Sequence, residues 1–225
     1  MTKQTSHTRY KAELYRQFAR VGRAVSSPRR LEILDLLSQG ERTVERLATE
    51  IGTTMSNISQ HLHALREAGL VQSRKEGLFV HYSLAGENVA EFWRAMRTLA
   101  VDLSSEAREL IHSFINERDS FETVEHGELL KRVESGRAIV IDVRPLHEYD
   151  AGHIRGAMSI PLDELPGRIG ELPGDLDVVA YCRGPYCLLS VEAVELLRKQ
   201  GRHATRLVDG FPEWRAAGFP ITKTE

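Results

Sequence analysis

The chain has little cysteine, no long apolar run and no strong net charge. Its 225 residues include 2 Cys, and the formal net charge is -2. Two cysteines exclude the disulfide framework of a small secreted protein, so they indicate reactive, metal-binding or buried thiols in a reducing compartment. No apolar run reaches the roughly 18 residues that cross a bilayer, and the polar start supplies no signal-peptide core. We therefore expect a cytoplasmic protein without a membrane partner.

Length and composition favour an ordinary globular chain of two domains. Hydrophobic residues make up 41% and charged residues 28% of the sequence, which excludes collagen-like and wholly disordered chains. A helical pattern ends and a strand pattern begins near residues 117–124, so we predict domains over residues 1–118 and 119–225. Residues 1–84 hold 13 Lys and Arg against 8 Asp and Glu, whereas residues 119–225 hold 13 against 18. The first domain is thus the candidate for binding a polyanion.

The first half carries the pattern of a helix-turn-helix. Apolar residues recur at spacings of three and four in PRRLEILDLLS and in VERLATEI, which Gly52 ends. After a tight turn, TTMSNISQHLHALREAG forms a further helix with small polar residues near its start. Two short alternating runs then join through Glu76 and Gly77, which predicts a β-hairpin. The first domain is therefore predicted to be a mostly α winged helix-turn-helix.

Polar side chains of the last helix and the hairpin are the candidates for DNA contact. Short polar side chains reach base edges when such a helix lies in the major groove, and Arg and Lys of a hairpin bind phosphates. The candidate DNA-binding residues are Thr54, Ser56, Asn57, Ser59, Gln60, His63, Arg66, Arg74 and Lys75. Of His61 and His63, we expect one to face the domain and the other DNA. Long flanking helices with spare apolar faces predict a homodimer.

The stretch from SSPRRLEILDLL to GLFVHYSL resembles the ArsR/SmtB family of bacterial winged-helix repressors, and the resemblance covers about residues 10–115. It implies a dimer that binds a palindromic operator in double-stranded DNA and releases it when an inducer arrives. Many relatives sense metals through cysteines in the helix before the recognition helix. The corresponding VERLA segment contains none, so we expect no soft-metal site of that type.

The second half alternates strands with helices, which predicts an α/β domain with a central parallel sheet flanked by helices. The run AIVIDV carries Asp142 near its end, and DVVAYC puts Cys182 at the carboxyl end of another strand. Ligand chemistry in open α/β sheets concentrates at this edge, with anions at the helix N-termini that follow. Backbone N–H groups of the next loop, together with Arg183, would favour a thiolate. Cys182 is therefore the candidate reactive residue.

Three motifs in order, IDVRPLHEYDAGHIRGAMSIP, YCRGPYC and LVDGFPEWRAAGFPI, resemble the rhodanese-like sulfurtransferases over residues 122–222. The resemblance implies that Cys182 is catalytic: it accepts sulfur from a small donor as a persulfide and passes it to a thiol or similar acceptor, without a metal or other cofactor. The active-site loop would then be Arg183, Gly184, Pro185, Tyr186 and Cys187. Asp142, Arg144 and Glu148 would support it, with Glu148 pairing with Arg144. Gly210 and Trp214 match the carboxyl-terminal signature and are expected to be structural.

Two loop positions depart from the family pattern. Pro185 stands where the family often has Gly and Cys187 where it often has Arg, so we expect thiosulfate to be a poor donor. Cys187 lies across a short loop from Cys182, where its thiol would attack a persulfide on Cys182; alternatively, it is a small buried side chain at a helix start.

These features predict a repressor whose rhodanese-like domain senses reactive sulfur at Cys182, with Cys187 as a bridging thiol. Two alternatives stay open. The first is a sulfurtransferase enzyme with an attached DNA-binding module. The second is a metalloid sensor in which a thiophile such as arsenite bridges the two cysteines, with His147 or His153 as candidates for approaching the site.

Overall fold

In a computed structural model of the protein, residues 3–116 and 123–224 are described. The chain forms two compact units, Met1–Ala95 and Met96–Glu225. The predicted domain boundary at residues 118/119 lies outside the described residues and stays a prediction. No helix in the described part of the chain is both long and apolar enough to span a membrane.

The first unit combines helices with a small antiparallel sheet. Its elements are α1 (Lys3–Val25), α2 (Pro28–Gln39), β1 (Arg42–Thr43), α3 (Val44–Ile51), α4 (Met55–Glu67), β2 (Val71–Glu76), β3 (Phe79–Leu84) and the start of α5 (Glu87–Leu103). The strands lie in the order β1-β3-β2, with both neighbouring pairs antiparallel. This arrangement confirms the predicted mostly α winged helix-turn-helix.

Local sequence signals set the helix-turn-helix boundaries. Pro28 opens α2, where its missing N–H costs nothing. Gly52 ends α3 in the left-handed region at φ 69°, which a residue with a Cβ rarely adopts. The hydroxyl of Thr54 then accepts a hydrogen bond from the Asn57 amide at 3.2 Å and caps the start of α4. The turn between α3 and α4 is thus three residues long and held at both ends.

The apolar spacing predicted for these helices produces one common core. Its fully buried side chains come from α2, α3 and α4 and are Ile33, Leu34, Leu47, Ile58, Leu62 and Leu65. The wing follows as a regular hairpin in which Val71 pairs with Leu84 and Glu76 with Phe79. Gly77, at φ 58°, and Leu78 make the two-residue turn, one residue later than the predicted Glu76 and Gly77, because Glu76 still pairs with Phe79.

The second unit is an α/β fold. After the rest of α5, its elements are α6 (Ser105–Ile111), a π-helical turn (His112–Asn116), β4 (Thr123–Val124), α7 (His126–Glu134), β5 (Ala138–Asp142), α8 (Leu146–Ala151), β6 (His153–Ile154), β7 (Met158–Ser159), α9 (Leu165–Arg168), a 3-10 turn (Ile169–Glu171), β8 (Asp177–Tyr181), α10 (Leu188–Lys199), β9 (Ala204–Leu207), α11 (Phe211–Ala216) and β10 (Ile221–Thr222). Five strands form a parallel sheet in the order β4-β9-β8-β5-β7. The predicted parallel sheet flanked by helices is therefore confirmed.

The two central strands bring the candidate site together. Strands β5 and β8 pair in register, so that Asp142 lies opposite Tyr181 at their carboxyl ends. Along β8, Val178 and Ala180 pack into one buried cluster, while Val179 and Tyr181 pack into another on the opposite face. A strand buried on both faces is apolar throughout, as expected for the middle of a parallel sheet.

Candidate functional site

Helix α4 buries one face and exposes the other. Exposed side chains among its predicted DNA contacts are Ser56, Ser59, Gln60, His63 and Arg66. Thr54 is exposed too, but its hydroxyl caps the helix, and the half-buried Asn57 has Oδ1 3.4 Å from the Thr53 hydroxyl. These two side chains therefore help to build the helix start, while the others are accessible to a ligand.

The two histidines of α4 differ in environment. His63 is exposed, whereas His61 is half-buried. Burial, with the positive charges of Arg30 and Arg29, lowers the pKa of His61. A neutral ring at position 61 is thus favoured by the folded domain, and His63 is the histidine that faces solvent.

The wing carries an exposed ion-pair network. Arg74 donates hydrogen bonds to Glu41 and Glu76, with its Nε 3.0 Å from a Glu41 oxygen. The hydrogen bond from Arg74 is the main cause of the lowered pKa of Glu41. The side chain of Lys75, next in the strand, is exposed. Arg74 thus has two carboxylate partners in this arrangement, and contacts of Arg74 and Lys75 with DNA phosphates stay predictions.

A buried ionic network closes the carboxyl ends of β5 and β8. Arg144 binds Asp142 with two guanidinium nitrogens, the shorter distance being 2.6 Å, and both side chains are fully buried. The same guanidinium donates to the Gly152 carbonyl at 2.7 Å. Tyr181 donates its hydroxyl proton to Asp142 and accepts a hydrogen bond from the Ile154 amide at 3.1 Å. The network thus joins both strand ends to the segment after α8.

The surroundings fix the protonation of this network. Burial by itself lowers the pKa of Arg144, but the charge and hydrogen bonds of Asp142 outweigh it and hold that pKa above its ordinary value. Burial, with the adjacent Asp142 carboxylate, raises the pKa of Tyr181 well above its ordinary value. Arg144 therefore stays charged and Tyr181 stays a hydrogen-bond donor throughout the physiological range.

The two cysteines lie at opposite ends of one short loop. Cys182 follows β8 and is buried, while Cys187 is half-buried and immediately precedes α10. Their sulfur atoms form a disulfide, with the Cα atoms 6.3 Å apart. The Cys187 amide donates to the Gly184 carbonyl at 3.1 Å, which makes the residues between the cysteines a tight turn. The Cα separation lies within the range that a disulfide can span.

Glu148 holds the first residue of this loop. Its buried carboxylate accepts three hydrogen bonds from Arg183, at 2.6, 2.9 and 3.1 Å. The sequence predicted Arg144 as its partner. The charge of Glu148 does contribute to the raised pKa of Arg144, while its described hydrogen bonds go to Arg183. Glu148 thus acts on the loop itself as well as on the network behind it.

The carboxyl-terminal segment supports the loop from the other side. The Phe211 amide donates to the Cys182 carbonyl at 3.0 Å. Gly210 packs so closely that a Cβ atom there would lie 2.2 Å from the Gly184 amide nitrogen. Phe211 also lies under Arg144, with the guanidinium 4.5 Å from the ring centroid. Gly210 therefore packs against the backbone of the cysteine loop, in keeping with the structural role that its motif predicts.

The two histidines considered as further ligands lie on or just after α8. His153 is buried, stacks on the Tyr149 ring and has Nδ1 2.9 Å from the Tyr149 carbonyl oxygen. His147 has Nε2 4.0 Å from a Glu148 oxygen. The Nδ1 atom of His153 is thus engaged locally. A role for either ring in holding a metalloid stays a prediction.

The second unit brings the predicted loop and its supporting residues into one place. Neither Tyr181 nor Phe211 is recognisable as a residue of this site from the sequence alone. Tyr181 fitted the apolar alternation of DVVAYC, and only its pairing with Asp142 across the sheet reveals a polar role for its hydroxyl. The available signal for Phe211 was its position next to Gly210 in the carboxyl-terminal motif.

Comparisons with known proteins agree with both halves of this description. The model of the rhodanese-like domain matches residues 125–217, and that of the bacterial regulatory proteins of the arsR family matches residues 27–73. The HTH-type transcriptional regulator Rv0324 of Mycobacterium tuberculosis is 45% identical over 215 residues, which cover 94% of this chain and 92% of that protein. This chain belongs to the ArsR family of transcriptional regulators and carries a rhodanese-like domain.

Two further similarities lie in the DNA-binding half. The regulator CmtR of Mycobacterium bovis is 44% identical to this ArsR-family chain over 72 residues, or 32% of this chain and 61% of that protein. A solution structure of the winged helix-turn-helix domain of Mb0332 from Mycobacterium bovis, described as homodimeric, is 45% identical. It covers 43% of this chain and 89% of that one, with a TM-score of 0.41.

Gly210→Ala should destabilise the second unit of this ArsR-family regulator. The added methyl group meets backbone atoms of the cysteine loop, which cannot yield as a flexible side chain does, so we expect a cost of about 1–3 kcal/mol in the free energy of unfolding. Urea denaturation of the full chain measures this. Gly127→Ala in α7, where a Cβ has no neighbour within 4 Å, is the control and should be neutral or slightly stabilising. Wild-type stability for Gly210→Ala would contradict the close packing.

Proposed function

We propose that the protein is a transcriptional repressor that binds operator DNA as a homodimer and releases it when reactive sulfur bridges Cys182 to Cys187. The observation that carries the proposal is the bond between these two sulfurs in a loop at the carboxyl end of β8. The same chain contains a helix-turn-helix with an exposed polar face on α4. A sulfur-reactive pair and a DNA-reading helix in one molecule are the two parts that such a sensor needs.

The exposed apolar side chains of two helices support a homodimer. On α1 and α5 they are Tyr10, Tyr15, Phe18, Phe92, Leu99 and Leu103. Tyr15 and Phe18 also contact each other edge to face, with ring centroids 5.7 Å apart. Groups of this size in water favour association, and a second copy of the chain would offer the same helices in return.

The sulfur reaction can be written with an alkyl persulfide, such as glutathione persulfide, as the donor. The Cys182 thiolate attacks the outer sulfur, forms an S–S bond and expels the glutathione thiolate. The Cys187 thiolate then attacks the inner sulfur of the Cys182 persulfide, forms the disulfide and expels hydrosulfide. The two cysteines are oxidised, the donor's outer sulfur is reduced to hydrogen sulfide, and the two cysteine protons end on glutathione and hydrosulfide.

Two features of the loop favour this order of attack. Cys187 sits at the N-terminus of the twelve-residue helix α10, where the helix dipole favours a thiolate. Pro185 and Cys187 occupy the positions that the family often fills with Gly and Arg. The loop therefore has a second thiol where a guanidinium would otherwise recognise an anionic donor, which favours resolution of the persulfide within the protein over transfer to an outside acceptor.

The DNA side of the proposal is tested by separating base contacts from phosphate contacts. Gln60→Ala should weaken operator binding by about 5- to 100-fold while leaving random-sequence DNA nearly unaffected, because an exposed amide on α4 reads base edges. Lys75→Ala should weaken both alike and lower the salt slope by about one. Fluorescence anisotropy measures each affinity, with Gln17→Ala on α1 as the matched control. If Gln60→Ala lost the same affinity for operator DNA and for random-sequence DNA, a contact of Gln60 with base edges would be refuted.

The sulfur response is tested by adding glutathione persulfide to the reduced protein bound to the DNA upstream of its own gene. The wild type should lose affinity about tenfold or more in the anisotropy assay. Cys182→Ser should stay bound because no persulfide forms, and Cys187→Ser should form the persulfide yet stay bound because nothing bridges it.

Each opposite result has a definite meaning. Release by Cys187→Ser at the wild-type level would refute the bridge. A wild type that stays bound while transferring sulfur over many turnovers, with that activity lost in Cys182→Ala, would favour the alternative, a sulfurtransferase with an attached DNA-binding module.

A further inference from the structure

Arg97, on α5, lies against the cysteine loop. It belongs to the second compact unit, as the loop does. Its guanidinium lies 5.5 Å from the centroid of the Tyr186 ring, in the geometry of a cation–π contact. A Cβ atom on Gly184 would lie 3.1 Å from Nη1 of Arg97, so the absence of a side chain at position 184 leaves room for the guanidinium. Arg97 thus touches two of the four residues between the cysteines.

The same guanidinium is tied to the support of the loop. Arg97 donates a hydrogen bond to Glu213, and only 16% and 14% of these side chains are exposed. The other carboxylate oxygen of Glu213 accepts a hydrogen bond from the Gly210 amide at 3.2 Å. Gly210 in turn packs on the backbone of Gly184. Arg97 and Gly210 therefore hold the loop together, with Glu213 linking them.

We propose that Arg97 is a positioning residue that binds the bridged form of the cysteine loop better than the dithiol form. The proposal rests on the function proposed above in so far as the bridge is the state being recognised. The bridge ties the two ends of the segment that contains Gly184 and Tyr186 to each other and so holds these residues where Arg97 contacts them, whereas reduction removes that covalent tie. A group that binds one of two states more tightly shifts the equilibrium constant between them toward that state by the ratio of its two affinities.

Arg97 lies on a helix that begins in the first compact unit. Helix α5 begins at Glu87, in the first compact unit, and continues through Arg97 in the second. The residue that would recognise the loop state is thus part of a helix that begins in the first unit. The other arginine of the helix, Arg94, lies three residues earlier, pairs with Glu87 at 3.5 Å and serves as a matched control.

The test is the thiol–disulfide equilibrium of the full chain in glutathione buffers. One cysteine thiolate attacks glutathione disulfide, forms a mixed disulfide and expels one glutathione; the other cysteine thiolate then attacks the mixed disulfide and expels the second glutathione. Overall, one glutathione disulfide is reduced to two glutathiones while the protein dithiol is oxidised to the disulfide. Alkylation of the remaining thiols followed by mass spectrometry gives the bridged fraction. Arg97→Ala should lower the equilibrium constant for bridging about five- to tenfold, and Arg94→Ala should leave it unchanged.

Further variants separate a specific role from general loss of structure. Arg97→Lys keeps the charge next to Glu213 but loses the planar contact with Tyr186, so it should give an intermediate constant. Tyr186→Leu leaves Arg97 in place and should also lower the constant, which keeps the test available if Arg97→Ala does not fold. Circular dichroism checks that each variant is folded.

The outcomes distinguish this inference from the proposed function. Equal bridging constants for wild type, Arg97→Ala and Tyr186→Leu would overturn the role of Arg97 and leave the sulfur sensor intact. A shifted constant in Arg97→Ala, in a protein whose bridging does not change DNA affinity, would support Arg97 and contradict the sensor. A wild type that forms no bridge in any buffer would overturn both.

Discussion

The buried carboxylate of Asp142 accepts hydrogen bonds from two side chains, those of Arg144 and Tyr181. The cysteine loop begins directly after Tyr181, so its starting point is set by this network. A charge without such partners would cost several kcal/mol in a site from which water is excluded. With them, the carboxyl ends of β5 and β8 are fixed to each other and to the backbone at Gly152 and Ile154. Cys182 therefore leaves β8 from a rigid edge of the sheet.

Around this edge, the loop is held by contacts that do not involve sulfur. Glu148 binds Arg183 at one end of the loop, and Phe211 binds the Cys182 carbonyl beneath it. The bond between Cys182 and Cys187 adds a covalent link, which thiol chemistry can make or break, to these non-covalent contacts. A small covalent event can thus become a difference between two defined states, which a sensor requires and which a neighbour such as Arg97 can distinguish.

Local patterns explain how much of the structure could be predicted. Apolar spacing gave α2 to α4, Gly52 marked the turn, and DVVAYC put Cys182 at a strand end, because each signal lies within a few neighbouring residues. The ion pair between Glu148 and Arg183 and the role of the Tyr181 hydroxyl depend on which strands and loops lie side by side, and no local spacing carries that information. Arg97 is one of two arginines on the amphipathic helix α5, and only the folded chain shows it against Tyr186.

The central claim is that bridging and release of DNA occur in the same molecules. For the direct measurement, glutathione persulfide is added to the DNA-bound protein in a molar amount below that of the cysteine pairs. DNA-bound and free protein are then separated, and mass spectrometry determines in each fraction whether the peptide that contains Cys182 and Cys187 is bridged or a dithiol. We expect bridged peptide in the free fraction and dithiol peptide in the bound fraction. The same proportion of bridged peptide in both fractions would contradict the coupling of bridging to release of DNA.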